Sequence, residues 1–320
     1  MEKPTKLYKY YRNKNYVFNT ITNGQLYFST ADKFNDPYDC YIGINKREFY
    51  KKYFLSLLKE NNLNKFYKDF LENYYDNTVR KELQFNAVED FVMINTRNDK
   101  NLVLKQLLNK VEKRYISYAK QIHKLKRSLY ICCFSNTDIE SSIQMWAYYA
   151  NNYNGYCCTY QLDTNTKSKK HNTLAKMFYD HLYPINYTEK LINVDIDQLL
   201  MLEPKHLNES TYIKELVFLA SQSKYKKWEN ESEYRLIFDK EDFINNGGNI
   251  NTGLINFPFL SQLTLGRDIP KEKQRQFLEK LKDVEINRIS YSYHEYKLGQ
   301  DWDNESILHN LKVKLRIDED

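Results

Sequence analysis

The run Lys224-Tyr-Lys-Lys-Trp228-Glu-Asn-Glu231-Ser-Glu233-Tyr-Arg235-Leu-Ile-Phe238 carries more architectural information than any other part of the chain. Residues Ser232 to Phe238 read as a β-strand, rich in aromatic and branched side chains and closed by a charged Asp-Lys turn. Alternate side chains of a strand share a face, so Glu231, Glu233 and Arg235 are expected on one side, and Tyr234, Leu236 and Phe238 on the other. Two carboxylates and a guanidinium on one strand face, entered past a tryptophan, form a costly arrangement unless they bind something. The competing reading is a solvated strand face with an exposed ion pair, which contributes little.

Around that strand, the chain is long enough for one large domain or a core with an insertion. It has 320 residues, 42% hydrophobic and 15% aromatic, so a sizeable core is expected. Met1-Glu-Lys-Pro-Thr-Lys has no apolar stretch behind it, and no run approaches eighteen apolar residues. A soluble, cytoplasmic protein with no membrane partner is the expectation. The five cysteines fall as Cys40 and two adjacent pairs, Cys132-Cys133 and Cys157-Cys158, in strand-like runs. Adjacent strand residues point to opposite faces, so neither pair makes a metal clamp, and buried structural thiols are expected. The six histidines lack ligand spacing, so no metal is expected.

The N-terminus reads strand (Lys6 to Tyr11), helix (Tyr16 to Thr22, ended by Asn23-Gly24) and strand (Gln25 to Ser29), before the turn-rich Lys33-Phe-Asn-Asp-Pro-Tyr-Asp39. Between residues 46 and 127 the period changes. Phe49, Tyr53, Phe54, Leu57 and Leu58 recur at helical spacing, as do Leu104, Leu107, Leu108, Val111, Tyr115, Tyr118 and Ile122. Two long amphipathic helices with a shorter middle piece are expected there. This segment holds 19 Lys and Arg against 10 Asp and Glu, a net +9, whereas the whole chain is only +6. Such a basic helical insertion favours an anionic partner such as nucleic acid, or else is a solvated helical face.

After Arg127 strands dominate: 129–135, 155–160, a strand near His181 to Tyr187, the Glu-rich strand, Gln262 to Gly266 and Glu285 to Tyr291. Helices are expected at 141–149, Thr211 to Ser223 and 271–282, with Tyr293 to Leu298 closing the sheet and a loosely held tail after Asp301. Mixed strands with intervening helices and no Gly-rich phosphate loop argue for an α+β fold with a mixed, mostly antiparallel sheet. The expected organisation is a core of residues 1–45 and 128–300, the basic helical insertion 46–127 and a tail 301–320.

Several segments together resemble a bacterial family of unknown function, DUF2971. They are Leu7-Tyr-Lys-Tyr10, Gly24-Gln-Leu-Tyr-Phe-Ser29 running into Phe34-Asn-Asp-Pro-Tyr-Asp39, Cys133-Phe-Ser135, Met145-Trp-Ala-Tyr-Tyr-Ala150, Gly155-Tyr-Cys-Cys, Trp228-x-x-Glu-x-Glu233-Tyr-Arg235 and Leu265-Gly-Arg267. The resemblance spans nearly the whole chain, with 46–127 divergent, and implies kinship without an activity. The order of motifs also looks like that of the ADP-ribosyltransferase fold. In that superfamily a polar residue of the first strand and a Ser of the second hold NAD, and a late Glu-x-Glu supplies the catalytic carboxylate. That carboxylate stabilises the cationic charge developing at the anomeric carbon as nicotinamide leaves. Carried onto this chain, the likeness implies Lys9 or Tyr10 on the first strand, Ser29 with Thr30 on the second, Glu233 as catalytic carboxylate and Glu231 orienting the acceptor. Superfamily members usually carry Arg or His at the first position, where this chain offers Lys9, Tyr10 and then Arg12. Trp146 and Tyr149 could stack on nicotinamide or adenine, with core packing as the competing role. Arg235 would join the NAD contacts, and Asn35 and Asp36 a substrate loop, unless Asn35-Asp-Pro is simply a self-bonded turn.

Three functions compete. The first is an NAD-cleaving ADP-ribosyltransferase-like enzyme, by analogy a toxin or antiphage effector, with NAD as substrate and protein, nucleic acid or water as acceptor. The second is a metal-dependent nuclease or phosphodiesterase using Asp36, Asp39, Glu231 and Glu233 as oxygen ligands. The third is a non-enzymatic module binding nucleic acid through residues 46–127, with Tyr67-Lys68 and Tyr225-Lys-Lys-Trp228 stacking on bases. The transferase expects Glu233 to face Ser29 across one small-molecule pocket. The nuclease expects Asp36 or Asp39 beside Glu233.

Overall fold

A computed structural model describes residues 3–61, 65, 102–164, 166–291, 298–301 and 304–315. The chain divides into two units, Met1–Cys40 with Arg127–Glu189 and Ser221–Asp320, and Tyr41–Lys126 with Lys190–Ala220. In chain order the strands begin with β1 (Lys6–Arg12), β2 (Gln25–Tyr27), β3 (Ser29–Thr30), β4 (Ile42–Gly43), β5 (Tyr130–Ser135), β6 (Gly155–Gln161), β7 (Leu182–Pro184) and β8 (Asn186–Thr188). They continue with β9 (Ile192–Asn193), β10 (Ser223–Tyr225), β11 (Glu233–Phe238), β12 (Leu254–Asn256), β13 (Leu260–Leu265), β14 (Glu285–Tyr291) and β15 (Leu298–Asp301). The main helices are α1 (Asn15–Thr22), α2 (Lys46–Glu60), α3 (Leu102–Lys126), α4 (Ile143–Tyr148), α5 (Lys169–Asp180) and α6 (Ile196–Leu200). After them come α7 (Thr211–Ser221), α8 (Lys240–Asn245), α9 (Lys271–Lys280) and α10 (Asn304–Leu315).

The first unit is built on a sheet in the order β15-β14-β13-β6-β1-β5-β11-β7, with β3 also paired to β5. Its pairs are antiparallel except β13 with β14, so the α+β class and the mostly antiparallel sheet are as expected. Strand β6 runs down the middle with six consecutive buried residues, as a strand covered on both faces must. Cys157 and Cys158 accordingly enter opposite clusters, Cys157 beside Tyr8, Tyr10 and Trp146, and Cys158 beside Leu7, Cys132 and Phe134. Burial pushes their thiols up, that of Cys158 to about 12, which suits inert packing.

Two expectations need correction. The strand expected at Gln25 to Ser29 splits at Phe28, whose N–H bonds Gly253 O at 2.7 Å while its ring packs on Phe238 and Phe243. As a result β2 pairs with β12, and β3 with β5. In its described part, the helix α10, the tail is not loosely held. Asn310, fully buried on α10, bonds both Ile286 N and Ile286 O with its carboxamide, at 2.8 and 3.0 Å. Among the described residues, pairing of β14 with β15 begins at Arg288, so this side chain takes backbone groups of Ile286 that no described neighbour on that side takes. The outer strand itself is β15; residues 292–297, and with them most of the segment expected to close the sheet, lie outside the described residues.

The second unit confirms the helical spacing in its described parts. Phe49, Phe54, Leu57 and Leu58 of α2 and Leu107, Val111, Tyr118 and Ile122 of α3 are all buried. Phe49 meets the rings of Tyr115 and Tyr118, each at 5.6 Å. This unit also takes Lys190–Ala220, which the sequence reading placed in the core. The shorter middle piece and Tyr67-Lys68 lie outside the described residues.

Candidate active site

Strand β11 pairs with β5 so that Glu233 lies opposite Ser135 and Arg235 opposite Cys133. Directly opposed residues share a face, so these four side chains lie on one side of the sheet. That face is not solvated. Arg235 is fully buried, Glu233 is 5% exposed and Glu231 7%. Glu231 also lies outside the strand, in the 3-10 turn Lys226–Glu231, and Ser232 between the two glutamates is left-handed (φ 44°, ψ 51°). A non-glycine residue in that conformation is strained. It breaks the strand alternation, yet both carboxylates still reach one ammonium. Lys224 Nζ donates to Glu231 Oε2 at 2.6 Å and to Glu233 Oε2 at 2.8 Å.

Arg235 completes the network. Its Nε donates to Glu233 Oε1 at 2.6 Å and its Nη1 to Ser221 O at 2.8 Å. The guanidinium fork meets the Asp39 carboxylate with both contacts at 2.9 Å, a bidentate geometry that only arginine offers. The next residue, Cys40, is also left-handed (φ 53°), where the loop from Phe34 turns to deliver Asp39. Burial works to raise the Glu233 carboxyl, but Arg235 and then Lys224 overrule it and hold it at about 2. Lys224 is likewise desolvated, yet Glu233 and Glu231 hold its ammonium charged and raise it above the ordinary lysine range. Three carboxylates thus face two cations in direct contact.

The network floors a cleft of about 170 Å³, whose lining also includes Tyr8, Tyr10, Phe34, Asn35, Met145 and Tyr149. Tyr149 reaches in from just past α4 and donates its hydroxyl to Glu231 Oε1 at 2.7 Å. Burial first, then the Glu231 charge, raises the Tyr149 phenol, so it stays protonated and remains a donor. Ser135 Oγ donates to Glu231 O at 2.8 Å and pins the turn that presents the glutamate.

The residues expected from sequence divide into those the cleft gathers and those it does not. Glu231, Glu233, Tyr10, Tyr149 and Asn35 line it, and Arg235 supports it from behind. Lys9 lines it at the seam where β1 meets β5 through the single pair Tyr8 with Ser135. Its Nζ donates to the Cys133 carbonyl at 2.8 Å and lies over the rings of Phe134 and Tyr11, so it ties the seam together.

Trp146 is not a ligand contact. It is fully buried, edge-on to Tyr10 and stacked on Tyr153, because the α4 turn directs it into the core beneath the cleft. Ser29 and Thr30 do not face Glu233 either. They pair with Ile131 and Tyr130, four and five residues along β5 from Ser135, roughly 13 Å away or more at 3.3 Å per residue. Asp36 does not contribute a carboxylate to the network. Its Oδ1 accepts from Tyr38 N at 2.9 Å, a self-bonded turn, and Asp39 occupies the charged position instead.

Lys224 and Ser135 were missed as site residues, and Asp39 had no place in the transferase scheme. The lysine left a readable signal. A Lys within a strand-like Ser-Lys-Tyr, seven residues before a Glu-x-Glu, is a candidate buried cation, since lysine is rarely buried without a partner. Ser135 becomes visible only through the pairing of β5 with β11.

The family model described as "Protein of unknown function (DUF2971)" matches residues 145–236. The match takes in Met145-Trp146, Gly155-Tyr-Cys-Cys and the Glu-x-Glu-Tyr-Arg run, and so bears out the resemblance over that segment. No curated protein and no solved structure matches the chain.

Proposed function

We propose that this cleft breaks the N-glycosidic bond of a nicotinamide dinucleotide, in the manner of an ADP-ribosyltransferase or NAD glycohydrolase. The observation that carries the reading is the convergence of Glu231 and Glu233, linked by Lys224, on one small aromatic-walled cleft with Glu233 held ionised. Both the substrate pyridinium and the oxocarbenium-like transition state are cationic, and a fixed carboxylate in a water-poor site stabilises such charge strongly. The rings of Tyr8, Tyr10, Phe34 and Tyr149 favour a cation. At about 170 Å³ the cleft is smaller than the roughly 300–1,000 Å³ of whole-ligand sites, so it suits the nicotinamide-ribose end alone.

In this scheme the bond between the anomeric carbon and the nicotinamide nitrogen breaks, and its electron pair returns to the pyridine ring. Glu233 sets the field at the anomeric carbon. Glu231 is the less saturated carboxylate, with one contact on each oxygen, and takes the proton of the incoming hydroxyl or water. The departures from the superfamily pattern at Ser29 and Trp146 mean that the dinucleotide would be held by Asn35, Ser135 and the tyrosines instead.

The metal-dependent alternative is less well supported. Asp39 is forked by Arg235, Glu233 is held by Arg235 and Lys224, and Glu231 by Lys224 and Tyr149, so their oxygens are committed to protein cations and donors. The deciding measurement is nicotinamide release from NAD by the full chain, beside Glu233→Gln and Glu231→Gln. Release lost by a factor of 100 or more in Glu233→Gln, with the folded circular-dichroism spectrum retained at the assay temperature, supports the reading. No release from the unaltered protein, even with bacterial lysate supplying acceptors, sinks it.

A further inference from the structure

A second and larger cavity lies elsewhere in the same unit, between α1, β2 and the turn before β12. It measures about 530 Å³, within the range of small-molecule sites. Asn19 and Asn23 enter from α1 and its C-cap, Gln25 and Tyr27 from β2, and Tyr16 from the first turn of α1. Thr20, Thr252 and Leu254 complete the wall. In a chain of which 28% of residues are charged, this lining holds no charged side chain.

Two further properties define the ligand. Among the described residues, the carboxamides of Asn19, Asn23 and Gln25 and the hydroxyls of Tyr16 and Tyr27 have no hydrogen-bond partner, so three amides and two phenols offer unused donors and acceptors. The two rings are also open to solvent, Tyr16 at 69% and Tyr27 at 42% exposure. Tyr27 is nevertheless placed rather than loose. Gly253 turns beneath it at φ +71°, where an added Cβ would come within 3.0 Å of the Tyr27 ring, and Gly253 O accepts from Phe28 N. Only glycine allows that approach.

From this lining we infer a binding site for a neutral sugar ring, most simply one unit of an uncharged oligosaccharide. A phosphate or other anion would find no cation here, and an organic cation no carboxylate. A purely apolar ligand would strip water from three amides without replacing their bonds. Sugar hydroxyls are each donor and acceptor, which matches carboxamides that present both. The C–H faces of a pyranose lie against exposed tyrosine rings as other flat apolar surfaces do. The site shares no lining residue with the carboxylate cleft and stands independently of its function.

The test is retention of the full-length protein on an array of neutral oligosaccharides, followed by titration calorimetry with the best-retained one. The variants are Tyr27→Ala, Gln25→Ala and, as a control in the other cleft, Glu231→Gln, with adenosine as counter-probe. Affinity is expected to fall roughly tenfold or more in Tyr27→Ala, the loss of one ring contact, to fall again in Gln25→Ala, and to hold in Glu231→Gln. Both altered positions are at the surface or half-buried, and circular dichroism serves as the check that each variant keeps its fold. Retention of no neutral glycan overturns the inference. So does binding that survives in a Tyr16→Ala/Tyr27→Ala double variant, or adenosine binding in the glycans' place.

Discussion

Both units of this protein contain ion-pair networks, and the two could hardly differ more. In the first, Arg235, Glu233, Asp39, Lys224 and Glu231 are all at least nine-tenths buried and linked by contacts of 2.6–2.9 Å. In the second, Lys52 bridges Glu48 and Asp197, and Arg114 bridges Glu203, with contacts just as short, 2.7–2.9 Å, but with much of each pair in water. Distance alone does not distinguish them; the surrounding dielectric does. A pair in water gains little over separate solvation, whereas a buried charge that loses its partner cannot be resolvated. The interior network is therefore an expensive arrangement retained at a cleft, and the outer pairs are ordinary surface chemistry.

The contrast can be broken most decisively at Arg235. Arg235→Ala leaves Asp39 and Glu233 without their main cation and is expected to cost about 3–5 kcal/mol in urea denaturation. A loss under about 1 kcal/mol would mean that water already reaches the network.

Acid separates the two regions next. The Glu233 carboxyl sits at about 2 in the folded chain against 4.5 when free. A depressed carboxyl stabilises the fold above the free value, and that contribution disappears as pH falls through the folded one. Stability is thus expected to drop from about pH 4.5 toward pH 2. Glu233→Gln, less stable to begin with, should show a shallower drop over that window. Parallel pH profiles for the two proteins would place the acid sensitivity elsewhere.

The smallest effect belongs to the surface. Lys52→Ala removes contacts to both Glu48 and Asp197 yet is expected to leave the urea midpoint unmoved within error. A clear shift there would show that the outer pairs, too, are structurally coupled.

The fold was legible wherever periodicity carried it. The Tyr234-Leu236-Phe238 alternation, the opposed vicinal cysteines and the α2 and α3 stripes follow from side-chain spacing alone. What stayed hidden depended on contacts between distant residues. Ser29 looked like a partner of Glu233 because the order of motifs resembled that of the ADP-ribosyltransferase fold, but the sheet places β3 at the opposite end of β5. Trp146 and Tyr149 lie three residues apart, and sequence could not say which turns inward; the tryptophan went to the core and the tyrosine to Glu231. Asp39 lies 194 residues from Glu233, and only the folded chain brings the two to Arg235.

The carboxamide of Asn310 has a consequence for handling the molecule. By occupying Ile286 N and O, it caps a length of β14 that would otherwise offer free backbone to another chain. A protein shortened before α10 would carry an open template for strand addition, the usual route to intermolecular association. Helix α10 is thus a guard against self-assembly, and a fusion or truncation that removes it puts solubility at stake before it touches either cleft.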